Sequence, residues 1–308
     1  MSPTTHAFTL PAAGTEGPRI AVQHRAVEGG APGVLFCGGF HSSMEGDKAR
    51  FVAARCAEAG VACTRFDYRG HGASGGDARH LTLRDWLDDT LRVIDHLAEA
   101  TGNDAESSDR DDARSPRPQV PGKAGTEGAA APLVIVGSSM GAWLALRAAL
   151  ERPGRVRALL LIAAAPDFLQ GTLLERLEPA VRERLDAGLE VTLPSPYDAA
   201  GWPITPALID SGRALSVLRA DVAGRVRCPV RMLHGDRDDT APLERARTLC
   251  SLLGEGATLT VVEGGDHRLS DPASLALIER ALARLHPRLD RERSDPAPSG
   301  ASGRGGIG

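Results

Sequence analysis

The sequence predicts an α/β fold: a mostly parallel central sheet with helices on both faces and a small cap insertion. Three observations lead there. Short apolar runs alternate with stretches whose apolar residues recur at helical spacing. The apolar runs are near-continuous, as expected of strands buried on both faces. The 308 residues suffice for one such domain with a large core.

The elements follow in order. Residues 34–37 form a short apolar strand ending in Gly38-Gly39, and residues 48–59 carry a helical pattern. A strand over 62–66 ends in Asp67. Leu83, Trp86, Leu87, Leu91, Ile94 and Leu97 mark a helix over 83–97. Strands at 133–136 and 158–163 flank an apolar helix at 143–150. A strand at 230–233, a helix at 243–253, a strand at 259–262 and a helix at 272–285 complete the series. Residues 1–19 stand ahead of this domain, which runs over 20–286.

Three stretches break the rhythm. Residues 101–132 are rich in Asp, Ser, Arg, Pro and Gly and nearly free of large apolar side chains, so they are expected to be a disordered insertion. The tail over 287–308 has the same character. Residues 167–226 hold amphipathic pieces and turns such as Pro194-Ser195-Pro196, and are expected to form the cap.

Composition excludes some function classes. A net charge of −4 gives no general attraction to nucleic acid or an anionic membrane. No apolar run approaches the ~20 residues that span a bilayer. The first residues lack the basic and apolar regions of a signal peptide. Cys37, Cys56, Cys63, Cys228 and Cys250 are scattered and odd in number, without a CxxC pair. Reduced thiols in a cytoplasmic protein are therefore the expectation, with no zinc site. Nothing in the residues specifies an oligomeric state.

Gly137-Ser138-Ser139-Met140-Gly141 matches G-x-S-x-G, a pattern common by chance in a chain with 35 glycines. Gly72-Ala73-Ser74-Gly75-Gly76 matches it too. Context separates them. Ser139 follows the strand Leu133-Val134-Ile135-Val136 and precedes a helix, as a nucleophile elbow requires. Ser74 lies in a glycine-rich turn with no strand leading into it. The competing reading of Ser139 is a helix N-cap.

A serine hydroxyl needs a base to take its proton. His267, in Gly264-Gly265-Asp266-His267 after the last strand, stands where the chain order Ser…Asp…His puts the base. Otherwise it is a loop histidine capping the helix that starts near Asp271. The acid is expected after the preceding strand, in Met232-Leu233-His234-Gly235-Asp236-Arg237-Asp238-Asp239. Asp238 is favoured because Asp238-Asp239-Thr240-Ala241-Pro242 is similar to a D-x-x-V-P ending. Asp239 is the runner-up, and loop capping is the alternative for Asp239 and Asp236. His234 reads as shaping the turn.

Acyl transfer also needs two N–H donors facing the developing oxyanion. Met140, after the nucleophile, supplies the first. Phe40, in Cys37-Gly38-Gly39-Phe40-His41, is the candidate for the second. In the alternative reading this is an ordinary turn and Phe40 a packed aromatic. His41 is a possible pocket residue, and Trp143 and Trp202 line either an acyl pocket or the core. Asp67-Tyr68-Arg69-Gly70-His71-Gly72-Ala73-Ser74 is expected to be a structural turn with an internal Asp67–Arg69 contact.

With these residues in place, the chain resembles the α/β-hydrolase superfamily of serine hydrolases over about residues 20–286. More narrowly, it resembles the subfamily of mycophenolic acid acyl-glucuronide esterases and palmitoyl-protein thioesterases. The resemblance rests on the run from Phe36 through Gly38-Gly39-Phe40-His41 to Asp47-Lys48, on Arg65-Phe66-Asp67-Tyr68-Arg69-Gly70 and on Val136-Gly137-Ser138-Ser139-Met140-Gly141-Ala142-Trp143-Leu144. It also rests on Leu233-His234-Gly235-Asp236-Arg237-Asp238-Asp239 and Gly265-Asp266-His267-Arg268. It implies hydrolysis of carboxylic esters or thioesters, including fatty-acyl ones, by a Ser139–Asp238–His267 triad acting on a small-molecule acyl substrate. No metal or organic cofactor is expected. A peptidase of the same fold is a rival reading, weakened by the lack of a separate propeller domain in the sequence. A non-catalytic binder of a small acyl ligand is another, opposed by the intact triad.

Overall fold

The computed structural model describes residues 5–11, 17–27, 33–107, 132–194 and 201–290. The expectations for most of 101–132 and for the tail beyond 290 lie outside the described residues.

An eight-stranded sheet runs in the order β1 (Thr5–Pro11), β2 (Arg19–Arg25), β4 (Cys63–Phe66), β3 (Val34–Cys37), β5 (Leu133–Ser138), β6 (Val156–Ile162), β9 (Val230–Gly235), β10 (Ala257–Val262). From β4 to β10 every pairing is parallel, whereas β1 and β2 join antiparallel. Residues 5–11, which the sequence reading leaves ahead of the domain, are thus its edge strand, and His6 pairs with His24 within the sheet. The period-2 signal is present but short: Phe8 and Leu10 on β1, Ile20 and Val22 on β2.

Successive residues of the parallel strands point to opposite faces, and each face has its own helices. Leu35, Ile135, Leu159, Leu161 and Met232 pack with Trp86 and Leu87 of α2 (Leu83–Ser107), Trp143 and Leu144 of α3 (Met140–Glu151) and Leu249 of α8 (Leu243–Leu253). Val34, Phe36, Val134, Val136, Leu160 and Ile162 pack with Val52 and Cys56 of α1 (Asp47–Glu58) and Ile278 and Leu282 of α9 (Pro272–Ala283). Strands apolar at every position need this double cover, because neither face can be left to water.

α2 runs past the 83–97 stripe to Ser107, into the segment expected to be insertion. Its apolar stripe marks only the part that packs. Beyond it, Ala98, Glu99, Ala105 and Glu106 favour helix without any stripe.

Between β6 and β9 the chain leaves the sheet. It makes a π-helical turn over Leu169–Leu173, then α4 (Leu174–Arg176) and α5 (Pro179–Asp186). β7 (Val191–Leu193) pairs antiparallel with β8 (Trp202–Ile204), and α6 (Pro206–Ala214) and α7 (Ala220–Ala223) follow. Two buried groups dock this excursion. Asp167 accepts N–H bonds from Val217 at 2.9 Å and Leu218 at 3.4 Å. Trp143 Nε1 donates to the Leu215 carbonyl at 2.8 Å.

Candidate active site

The β5–α3 junction forces Ser139 into a backbone conformation rare for a side-chain-bearing residue, φ 56° and ψ −117°. Neighbouring backbone explains the flanking glycines. A Cβ on Gly137 would stand 2.5 Å from the Gly141 carbonyl oxygen, and one on Gly141 would stand 2.2 Å from that of Cys37. Only glycine fits at either place. Ser139 N donates to Ile162 O at 2.9 Å, which ties the elbow to β6. Its hydroxyl makes no capping bond to α3, so the N-cap reading fails.

That hydroxyl faces His267 instead. His267 Nε2 is 3.0 Å from Ser139 Oγ, and its Nδ1 is 2.8 Å from Asp238 Oδ2. A carboxylate only accepts, so Nδ1 carries the proton and Nε2 is free to accept from the serine. The three residues lie in loops after β5, β9 and β10, at one rim of the sheet. Asp271 caps its own helix, accepting from Ala273 N and Ser274 N at 3.0 Å each, so His267 is not needed there.

Asp238, rather than Asp239, meets the imidazole. Its Oδ1 accepts from Thr240 N at 3.0 Å and Ala241 N at 2.7 Å. Burial pushes its pKa up, but hydrogen bonds from His234, His267 and the Ala241 N–H outweigh this and hold the carboxyl well below the usual range. The Asp239 carboxylate accepts from Thr240 Oγ1 at 3.2 Å, and Asp236 accepts from Gly264 N at 2.7 Å. Asp236 therefore braces the histidine loop. Asp266 braces it from within, accepting from Arg268 N and Leu269 N at 3.0 Å each. Lys48 Nζ donates to the Arg268 carbonyl. The sequence alone assigns Lys48 no role, since a lysine at a helix start carries no signal of a partner far along the chain.

Met140 opens α3 directly after Ser139. The loop after β3 crosses the same point: a Cβ on Gly39 would lie 3.3 Å from that of Ser139. This brings Phe40 to the site's edge. Its ring packs among aromatics, with centroids 5.6 Å from Trp86, 5.7 Å from Phe168 and 5.6 Å from Trp202. His41, at φ 53°, stacks on Trp202 at 6.1 Å. Trp202 therefore borders this loop, whereas Trp143 is fully buried and serves docking.

Ser74 is consumed structurally. Its Oγ donates to Asp67 O at 2.5 Å and accepts from Ala21 N at 2.8 Å. The expected Asp67–Arg69 contact is not formed. Asp67 accepts from Met44 N at 2.6 Å and Ala73 N at 2.8 Å, while Arg69 Nε bonds Asp89 at 2.6 Å. The turn directs the two side chains to different partners: Asp67 ties its own loop to the one before α1, and Arg69 reaches α2. Among the described residues, no three His, Cys, Asp or Glu side chains are grouped to hold a metal, and no helix is long and apolar enough to cross a membrane.

Comparison with known proteins agrees with this architecture. The model of a family described as "Alpha/beta hydrolase family" matches residues 34–278. "Palmitoyl-protein thioesterase ABHD10, mitochondrial" of Mus musculus is 31% identical over 266 residues, covering 86% of this chain and 77% of that protein. Among solved structures, a putative hydrolase from Agrobacterium vitis S4 superposes with a TM-score of 0.75 at 32% identity, covering 92% of this chain and 99% of the other. Mouse alpha/beta hydrolase domain-containing protein 10 gives 0.70 at 28% identity, with 93% and 99% covered.

Proposed function

The chain belongs to the alpha/beta hydrolase family, and from that premise we propose that it cleaves carboxylic esters or thioesters through an acyl-enzyme on Ser139. The observation that carries this reading is the continuous path Ser139 Oγ–His267 Nε2, 3.0 Å, and His267 Nδ1–Asp238 Oδ2, 2.8 Å.

Ser139 Oγ attacks the acyl carbonyl carbon while its proton passes to His267 Nε2. The carbonyl oxygen becomes an oxyanion held by the main-chain N–H groups of Met140 and Phe40. Collapse breaks the bond to the alcohol or thiol, which leaves with the proton from Nε2. Water then enters, gives a proton to Nε2 and attacks the acyl-enzyme. Release of the acid returns the proton to Ser139. Asp238, anchored by two backbone N–H groups, keeps the imidazole in the required tautomer throughout. The name of the mouse relative supports thioesters of long-chain acids within this class.

The test is direct. Ser139→Ala is expected to abolish turnover of a p-nitrophenyl ester, and a fluorophosphonate is expected to label Ser139 in the native protein. Retention of most activity in Ser139→Ala would end the proposal.

A further inference from the structure

We infer that His234 is a positioning residue that holds the Asp238 carboxylate and moderates how strongly it acts on His267; this rests on Asp238 being the acid of the triad. His234 is the penultimate residue of β9 and is fully buried. Its Nε2 lies 2.8 Å from the Ala241 carbonyl oxygen and 3.2 Å from Asp238 Oδ2. A carbonyl only accepts, so Nε2 bears the proton and shares it between the two oxygens. Nδ1 is buried with no hydrogen-bond partner among the described residues, which leaves Nε2–H as the working group of this ring.

The consequence lies in what Oδ2 receives. His234 and His267 converge on that single oxygen, while Oδ1 takes the Thr240 and Ala241 N–H groups. An acceptor whose charge is shared between donors stabilises each less. His234 thus does more than shape a turn. It fixes the carboxylate's orientation, and it draws off charge that would otherwise stabilise a protonated His267. Among the other charged groups, Lys48 from α1 acts on this carboxylate, Asp47, Asp266 and Arg268 act on Lys48, and Arg176 from α4 donates to the Asp239 carbonyl in the same loop.

Two substitutions separate these effects from simple packing. His234→Phe fills the space without a donor, and His234→Gln restores an N–H at nearly the place of Nε2. For His234→Phe, kcat/KM on a p-nitrophenyl ester is expected to fall about tenfold with KM little changed, the factor carried by one hydrogen bond to a charged group. The acid limb of its pH profile is expected to move toward neutrality by about half a unit, because the carboxylate then favours imidazolium more strongly. His234→Gln is expected to restore both. A His234→Phe enzyme with the native kcat and the native acid limb would overturn the inference. If that variant does not fold, nitrogen NMR of the native protein decides: a proton on His234 Nε2 supports the inference, and one on Nδ1 overturns it. Fluorophosphonate labelling keeps the two readings apart. No labelling of native Ser139 sinks the triad, whereas normal labelling with silent His234 variants sinks only the role of His234.

Discussion

Lys48 donates its ammonium to the main-chain carbonyl of Arg268, 220 residues further along the chain and next to His267. The bond joins the first helix to the loop that carries His267. Burial lowers the Lys48 pKa to about 8, against the opposing pull of Asp266 and Asp47. The group therefore still carries its charge near neutral pH. Lys48→Met keeps the aliphatic stem and removes the tether. Its kcat/KM is expected to fall about tenfold, the loss of one charge-assisted hydrogen bond, with little change in melting temperature. The native enzyme is also expected to lose activity as pH rises through about 8, a decline that Lys48→Met should lack. Equal rates and equal alkaline limbs in the two proteins would show that the loop holds itself.

The neighbouring carboxylates have different partners, so their amides should behave differently. Asp238→Asn removes the acceptor that fixes the His267 tautomer and is expected to lower kcat by about 10⁴. Among the described residues the Asp239 carboxylate bonds only its neighbour's hydroxyl, and Asp239→Asn is expected to stay within about twofold of the native rate. Steady-state rates of the two variants settle the assignment, and a reversed order would refute it.

His71 is expected to set part of the protein's acid sensitivity. It is buried, and burial lowers its pKa from 6.5 to about 4, although the Arg69 carbonyl on its ring opposes this. The native state thus refuses a proton that the unfolded chain accepts below its ordinary pKa. The stabilisation is whole above pH 6.5 and is lost as pH falls toward 4. It amounts to about 3 kcal/mol over that window. Urea unfolding at neutral pH and near pH 4.5 measures it, and His71→Phe is expected to show a correspondingly smaller drop. An equal drop in both proteins would exclude His71 as the source.

The parallel strands and the residues that end them were legible because both leave local marks. Residues 133–136 are apolar at every position, and Ser139 sits between a strand and a helix with glycines where backbone crowds. His267 and Asp238 were legible from chain order and from the loops that carry them. β1 and β2 were not, because two short alternating strands at an edge offer only Phe8, Leu10, Ile20 and Val22 as signal. The partners of Arg69 and Lys48 were hidden for a different reason. Side-chain pairing across loops depends on where the folded backbone aims each group, and local pattern does not encode that. Arg69 reads as a mate for Asp67 two residues away, yet Asp89 from α2 is the group it meets.

Ser139 is borne by an interior strand of the sheet, Asp238 follows the penultimate strand, and His267 follows β10, which among the described residues has a neighbour on one side only. Heat that loosens this outer margin would carry His267 away while Ser139 still stood in intact surroundings. Catalysis would then fall silent before the body of the protein melted, and cooling would revive it as long as that margin closed again.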